Sequence, residues 1–336
     1  MESINVALES PTLSRMVTPM KPSDFLKNHW EKSKHLVLHG DVQRFYELPG
    51  ISDVESLENV LAIYKNPVMV VGEAVIEETG GIADRFLVDV SEAREWYEKG
   101  AALEFDFSDM FLPQLRSWMG KLKNELQLPP GAGVKAIVYA AKNGGGFKAH
   151  FDAYTNFIFH LKGTKTWKLS ENKNVVNPVQ HYDLVEKPYI PEELSTYWQG
   201  EHPEDSLPEA DIVNLVPGSF LYLPRGVWHS TSSSEATLSL NITFTHPVWA
   251  ELLVAEIRSR LVKNEIWREL AVNINFLDEK SKQEVLHKLD TELKKISDNI
   301  SSIKAEDILT RDSEDFDLYH ITQAVFRQSL ASKHMY

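Results

Sequence analysis

His150-Phe151-Asp152 sets an imidazole and a carboxylate two residues apart. On a strand, residues i and i+2 project from one face, so both side chains can converge on a single ion. A histidine from another strand would complete a set of two imidazoles and one carboxylate. That set suits octahedral iron(II) and leaves positions open for a co-substrate and dioxygen.

The spacing alone does not single out this pair. His39-Gly40-Asp41 and His181-Tyr182-Asp183 repeat it, and His29-Trp30-Glu31 and His202-Pro203-Glu204 are its glutamate counterparts. Context separates them. His150 follows the turn Gly144-Gly145-Gly146 and leads into an apolar strand. His181 and His202 fall in a polar, proline-bearing stretch where solvated side chains are expected. His29 sits on an amphipathic helix, where i and i+2 do not share a face. His39 closes a short strand with no evident partner to supply a third ligand.

The third ligand is expected to be His229. The run Pro217-Gly218-Ser219-Phe220-Leu221-Tyr222-Leu223-Pro224-Arg225-Gly226-Val227-Trp228-His229 reads as strand, turn, and a histidine opening the next strand. A histidine there is ordinarily structural; here a pair of ligands awaits it. Lys165 lies fifteen residues after His150, on a hairpin strand. A lysine ordinarily points from a sheet into water. One projecting into an apolar barrel is costly unless an anion meets it.

Three segments position these residues. Residues 1–126 mix helix and strand signals: Pro22-Ser23-Asp24 starts a helix, Val68 to Val71 is a strand, and Leu112, Leu115, Trp118, Met119 and Leu122 are spaced for a helix. Residues 127–246 are rich in short strands separated by turns, the pattern of an antiparallel barrel or jelly roll, with a polar insert at 171–210 that reads as more loop than structure. Residues 247–336 are helical. There Leu286, Leu289, Leu293, Ile296, Ile300 and Ile303 form a short heptad seam, which fits equally an ordinary bundle helix or a homodimer interface.

Composition narrows the function classes. A net charge of −14 argues against nucleic acid as a partner and leaves a basic peptide or simple solubility. The absence of cysteine removes disulfides, thiolate metal sites and a cysteine nucleophile, so any metal must rest on His, Asp or Glu. The N-terminus shows no signal peptide, and no apolar run reaches the ~18 residues of a membrane span. A cytoplasmic location is the expectation.

The stretches GGGFKAHFDAYTNFIFHLKGTKTWKL and PGSFLYLPRGVWHSTSSSEATLSLNITF resemble the cupin/JmjC 2-oxoglutarate oxygenases, particularly the asparaginyl-hydroxylase and ribosomal-oxygenase branches. The likeness covers about residues 130–246, and the opening DFLKNHWEKSKHLVLHGD resembles the entry segment of such proteins. The fold so implied is a mainly β core, a double-stranded β-helix (jelly-roll or cupin barrel) with an N-terminal α/β elaboration and a C-terminal helical region. By the same resemblance His150, Asp152 and His229 are the iron ligands, and Lys165 pairs with the distal carboxylate of 2-oxoglutarate. Asn156, Asn241 and Tyr139 match positions near the co-substrate. Phe147 departs from the pattern, since members often carry a small hydroxyl residue three before the first histidine.

The activity implied is dioxygen-dependent hydroxylation of a C–H bond, with 2-oxoglutarate decarboxylated to succinate and CO2. Asp152 in place of glutamate matches hydroxylases rather than demethylases of the family. A peptide or protein side chain is the leading substrate class. A small-molecule substrate and a non-catalytic cupin module are the alternatives. Ribosomal oxygenases also carry a dimerising helical region and a winged helix, and no strand-turn-strand wing is evident after residue 303.

Overall fold

The computed structural model of this protein describes residues 11–309 except 31, 33, 47, 130, 131, 143 and 271–277. Its strands are β1 (Leu36–Leu38), β2 (Val68–Val71), β3 (Arg85–Val88), β4 (Ala102–Phe105), β5 (Gly133–Ala141), β6 (His150–Phe151), β7 (Thr155–Lys162), β8 (Lys165–Ser170), β9 (Tyr182–Asp183), β10 (Asp211–Leu215), β11 (Phe220–Leu223), β12 (Trp228–Ser233) and β13 (Thr237–Thr245). Among the described residues they form two antiparallel sheets, ordered β1-β11-β7-β13-β5-β4-β2-β3 and β10-β8-β12-β6-β9. This is the expected jelly roll.

Burial explains the placing of the strands. β7 is buried along six consecutive residues, Thr155 to His160, and lies inside the large sheet between β11 and β13. Its Phe157 and Phe159 join Phe220, Tyr222 and Phe244 in edge-on ring contacts that centre the main core. β8 instead alternates, with Lys165, Trp167 and Leu169 buried and their neighbours half-buried. The period of two therefore turns Lys165 inward beside Trp167. The helix Pro113–Glu125 starts on its proline and buries Leu115, Trp118, Met119 and Leu122 along one face.

The N-terminal α/β elaboration and the barrel share one sheet. Strands β4, β2 and β3 continue the large sheet beyond β5, through the pairing Glu104↔Tyr139 and its neighbours. Of the described residues, those within 11–128 and 133–245 form one compact unit, and those within 129–132 and 246–309 form a second.

The insert at 171–210 departs from expectation. It contains β9, a short helix Glu192–Ser195 and a core of its own, in which Tyr182, Leu184, Leu194 and Leu207 pack with Phe151 and Trp228. These apolar residues are scattered without period among polar ones, so the segment reads as a solvated loop although its anchors are buried.

In the second unit the helix Glu279–Ser301 carries most of the heptad seam, with Leu286, Leu289, Leu293 and Ile300 exposed. Residues 310–336, where a wing would fall, lie outside the described residues. Among the described residues no helix is long and apolar enough to cross a membrane.

The glycine turn before His150 has a steric reason. Gly144 donates to the Ser233 carbonyl, and the Ser233 amide donates to the Gly145 carbonyl, so the turn lies against β12. A Cβ on Gly146 would sit 2.0 Å from the Thr231 carbonyl oxygen. Gly146→Ala should destabilise the protein by about 1–3 kcal/mol through this overpacking. Thermal unfolding checks it, and an unchanged Tm would contradict the contact.

Candidate metal centre

The pairing of β12 with β6 sets His229 opposite His150. Their rings lie 4.1 Å apart between centroids. Asp152, two residues on from His150, brings a carboxylate oxygen 3.8 Å from His229 Nε2. One ligand atom from each of His150, Asp152 and His229 fits within 4.8 Å of the other two. The turn Pro224-Arg225-Gly226 helps hold this together, because the Gly226 amide donates to the Asp152 carbonyl at 2.8 Å.

Both imidazoles are oriented from behind. His150 Nδ1 donates to the Lys148 carbonyl at 2.7 Å, and His229 Nδ1 donates to the Val227 carbonyl at 2.9 Å. Each Nδ1 carries its proton, so each Nε2 presents a lone pair. Burial lowers both imidazoles below their ordinary range, His229 to about 3, so both are neutral, as metal ligands must be. Burial opposes ionisation of Asp152, but a hydrogen bond from His181, whose own imidazole is raised against the cost of desolvation to about 10 by its two carboxylate partners, outweighs it and holds the carboxyl well below the usual range. Two neutral imidazoles and one carboxylate form a nitrogen and oxygen donor set suited to iron(II).

The cavity around this triad has a volume of about 200 Å³. Lys165 lies in its wall, 3% exposed, with its Nζ 5.5–5.8 Å from the ring centroids of Tyr139, Phe147 and Trp167. It has no hydrogen-bond or ion-pair partner among the described residues. Burial lowers its amine to about 8. Asn241 is buried in the same wall, and its Oδ1 has no hydrogen-bond partner among the described residues. Tyr139 also lines the cavity. Asn156 lines the cavity as well, with its amide engaged on both sides: it donates to Asp152 Oδ2 at 3.0 Å and accepts from the Thr243 hydroxyl at 2.7 Å. Phe147 stands edge-on to Tyr139, and the small hydroxyl side chains lining the cavity are Thr231 and Ser239.

Four acidic or basic side chains of the cavity escaped the sequence. His181, expected in solvent, donates to Asp152 Oδ1 at 3.0 Å, and its other nitrogen lies 3.0 Å from Asp183 Oδ2. Asp183 accepts from Arg85 at 2.9 Å. Arg85 and Glu104 arrive on β3 and β4, and burial, reinforced by Asp106, raises Glu104 to about 7. The repeated His-x-Asp spacing was a signal for His181 and Asp183. Nothing local marks Arg85 or Glu104.

Residues 111–252 match the JmjC domain family. The chain belongs to the JmjC-domain proteins, and its likeness runs to their ribosomal-oxygenase branch. The uncharacterized protein YxbC of Bacillus subtilis is 56% identical over 326 residues, which cover 97% of this chain and 98% of YxbC. The bifunctional lysine-specific demethylase and histidyl-hydroxylase NO66 of Aedes aegypti is 25% identical over 244 residues, 71% of this chain and 35% of its own, so this chain spans about a third of that relative. Among solved structures, Escherichia coli YcfD, a ribosomal oxygenase in complex with cobalt and 2-oxoglutarate, shares the fold with a TM-score of 0.52 at 16% identity, covering 88% of this chain and 72% of that one.

The unpaired ammonium has a consequence for stability. In the unfolded chain the amine titrates near its ordinary 10.5, and in the fold at about 8. The folded amine is destabilising below pH 8, and that penalty is relieved as pH rises from 8 to 10.5. Lys165→Met should therefore stabilise the ligand-free protein at pH 7 by a few kcal/mol at most, and much less near pH 10.5. Thermal melts at both values check this, and a lower Tm for the variant at pH 7 would contradict it.

Proposed function

We propose that this protein is an iron(II)- and 2-oxoglutarate-dependent oxygenase that hydroxylates a C–H bond of a peptide or protein side chain. The observation that carries the reading is Lys165: a buried ammonium without an anionic partner among the described residues shares one cavity with a His-Asp-His triad whose lone pairs converge. A dicarboxylate that chelates a metal at one end supplies the anion that Lys165 lacks.

In this reading His150 Nε2, Asp152 Oδ2 and His229 Nε2 hold iron(II). Bound there, the metal would supply the activation of dioxygen. The Lys165 ammonium receives the far carboxylate of 2-oxoglutarate, with Tyr139, Phe147 and Trp167 keeping water from the pair and so strengthening it. Asn241 and the hydroxyl of Thr231 are donors available to the rest of the co-substrate, a role the family pattern gives to a residue at the position of Phe147. Asn156 acts through Asp152, whose carboxylate it steadies. The protein's remaining task is to hold the target C–H bond and exclude water. No side chain is required as a general acid or base.

Three observations favour hydroxylation of a protein side chain. The carboxylate ligand is Asp, matching hydroxylases of the resembling family. Relatives at low identity are named as a bifunctional lysine-specific demethylase and histidyl-hydroxylase and as a ribosomal oxygenase, so a protein substrate is common to both names. The chain's net charge of −14 suits a basic partner.

Incubation with iron(II), 2-oxoglutarate and basic peptides should release succinate and add one oxygen atom to a peptide. Lys165→Met should raise KM for 2-oxoglutarate by about 10- to 100-fold, the loss of one charge-assisted bond. Equal KM values for wild type and variant would remove Lys165 from the co-substrate site. Succinate release only with small molecules would reject the peptide assignment.

A further inference from the structure

Asp152 is the one member of the triad whose two ligating atoms compete, because either carboxylate oxygen, or both, could face an ion. The structure divides them. Oδ1 accepts from His181 Nδ1 at 3.0 Å. Oδ2 accepts from Asn156 Nδ2 and is the oxygen 3.8 Å from His229 Nε2.

His181 is itself held. Its Nε2 meets Asp183 Oδ2 at 3.0 Å, and the same Asp183 oxygen accepts from Arg85 at 2.9 Å. Asp183 is buried and stands directly opposite His150 in the pairing of β6 with β9. Arg85 also contacts Asp84. The sequence Asp152, His181, Asp183, Arg85 is thus a continuous row of charged hydrogen bonds. Its anchors lie outside the core of the barrel, with His181 and Asp183 in the 171–210 insert and Arg85 on the strand extension before it. An imidazole held on both sides by carboxylates has little rotational freedom, and it fixes the carboxylate it touches.

We infer that His181, braced by Asp183 and Arg85, is a positioning residue that keeps Asp152 a one-oxygen ligand by occupying Oδ1. This rests on the assignment of the triad as a metal site. It also gives the insert and the β3 extension a shared role: each contributes one part of the brace that sets how many positions around the ion remain open to co-substrate and dioxygen.

Cobalt(II) is the probe, titrated into the full-length metal-free protein and followed by visible absorption, which reports affinity and coordination number without turnover. His181→Ala should weaken cobalt binding by about 10- to 100-fold and shift the spectrum. In His181→Asn the amide nitrogen stands near the place of Nδ1, so the wild-type spectrum should largely return. Arg85→Met should weaken binding less than His181→Ala, because Asp183 remains. Circular dichroism on each variant verifies the fold, and if His181→Ala fails to fold, His181→Asn against Asp183→Asn provides the same comparison. An unchanged affinity and spectrum in His181→Ala would overturn the positioning role while leaving the metal site intact. Failure of the wild type to bind cobalt at all would overturn the metal site, and this inference with it.

Discussion

The lateral hydrogen bonding of β12, β6 and β9 is the constraint on which the site depends. It sets His229, His150 and Asp183 in one row across three strands. β6 is only two residues long, so it has little pairing of its own to hold it. Its neighbours supply the register, the Gly144-Gly145-Gly146 turn lets the chain approach β12, and Phe151 is buried against Tyr182 and Trp228. A slip of one residue would send His150 and Asp152 to the opposite face. The insert's apolar cluster is therefore part of what keeps the ligands convergent.

Charge in this cavity is arranged unevenly, and the unevenness has chemical meaning. Asp152 accepts from His181 and Asn156 and lies beside two neutral imidazoles. Glu104 and Asp183 lie in the same wall with Arg85. Lys165 has aromatic rings and, among the described residues, no anion. Burying an ammonium in this way is unfavourable until a negatively charged molecule enters. The fold thus holds two separate receptors within one cavity, a ready set of metal ligands and an ammonium without a counterion. A ligand that bridges them satisfies both at once.

Much of this was legible in the sequence, for reasons that differ between residues. The β character of residues 133–245 shows in short apolar runs between glycine and proline turns. His150 and Asp152 stand out because a glycine turn precedes them, and Lys165 because it lies on the hairpin strand that follows; the alternation with Trp167 and Leu169 that turns it inward is seen in the fold. His181-Tyr182-Asp183 carries the same spacing, yet its surroundings are polar and rich in proline, so local reading places it in water. What buries Tyr182 is contact with Phe151 and Trp228, which are distant in the chain, and this sets the still exposed His181 against Asp152. Arg85 and Glu104 sit in four-residue strands among ordinary charged neighbours, and only the pairing of β4 with β5 brings Glu104 beside Tyr139. The role of Asn156 likewise depends on Thr243, eighty-seven residues away.

The most direct test of the account is a crystal structure of the protein grown with cobalt(II) and 2-oxoglutarate. The account predicts metal bound by His150 Nε2, Asp152 Oδ2 and His229 Nε2, with the far carboxylate of the co-substrate on Lys165 Nζ. A metal bound elsewhere, or a co-substrate whose carboxylates both turn away from Lys165, would contradict it.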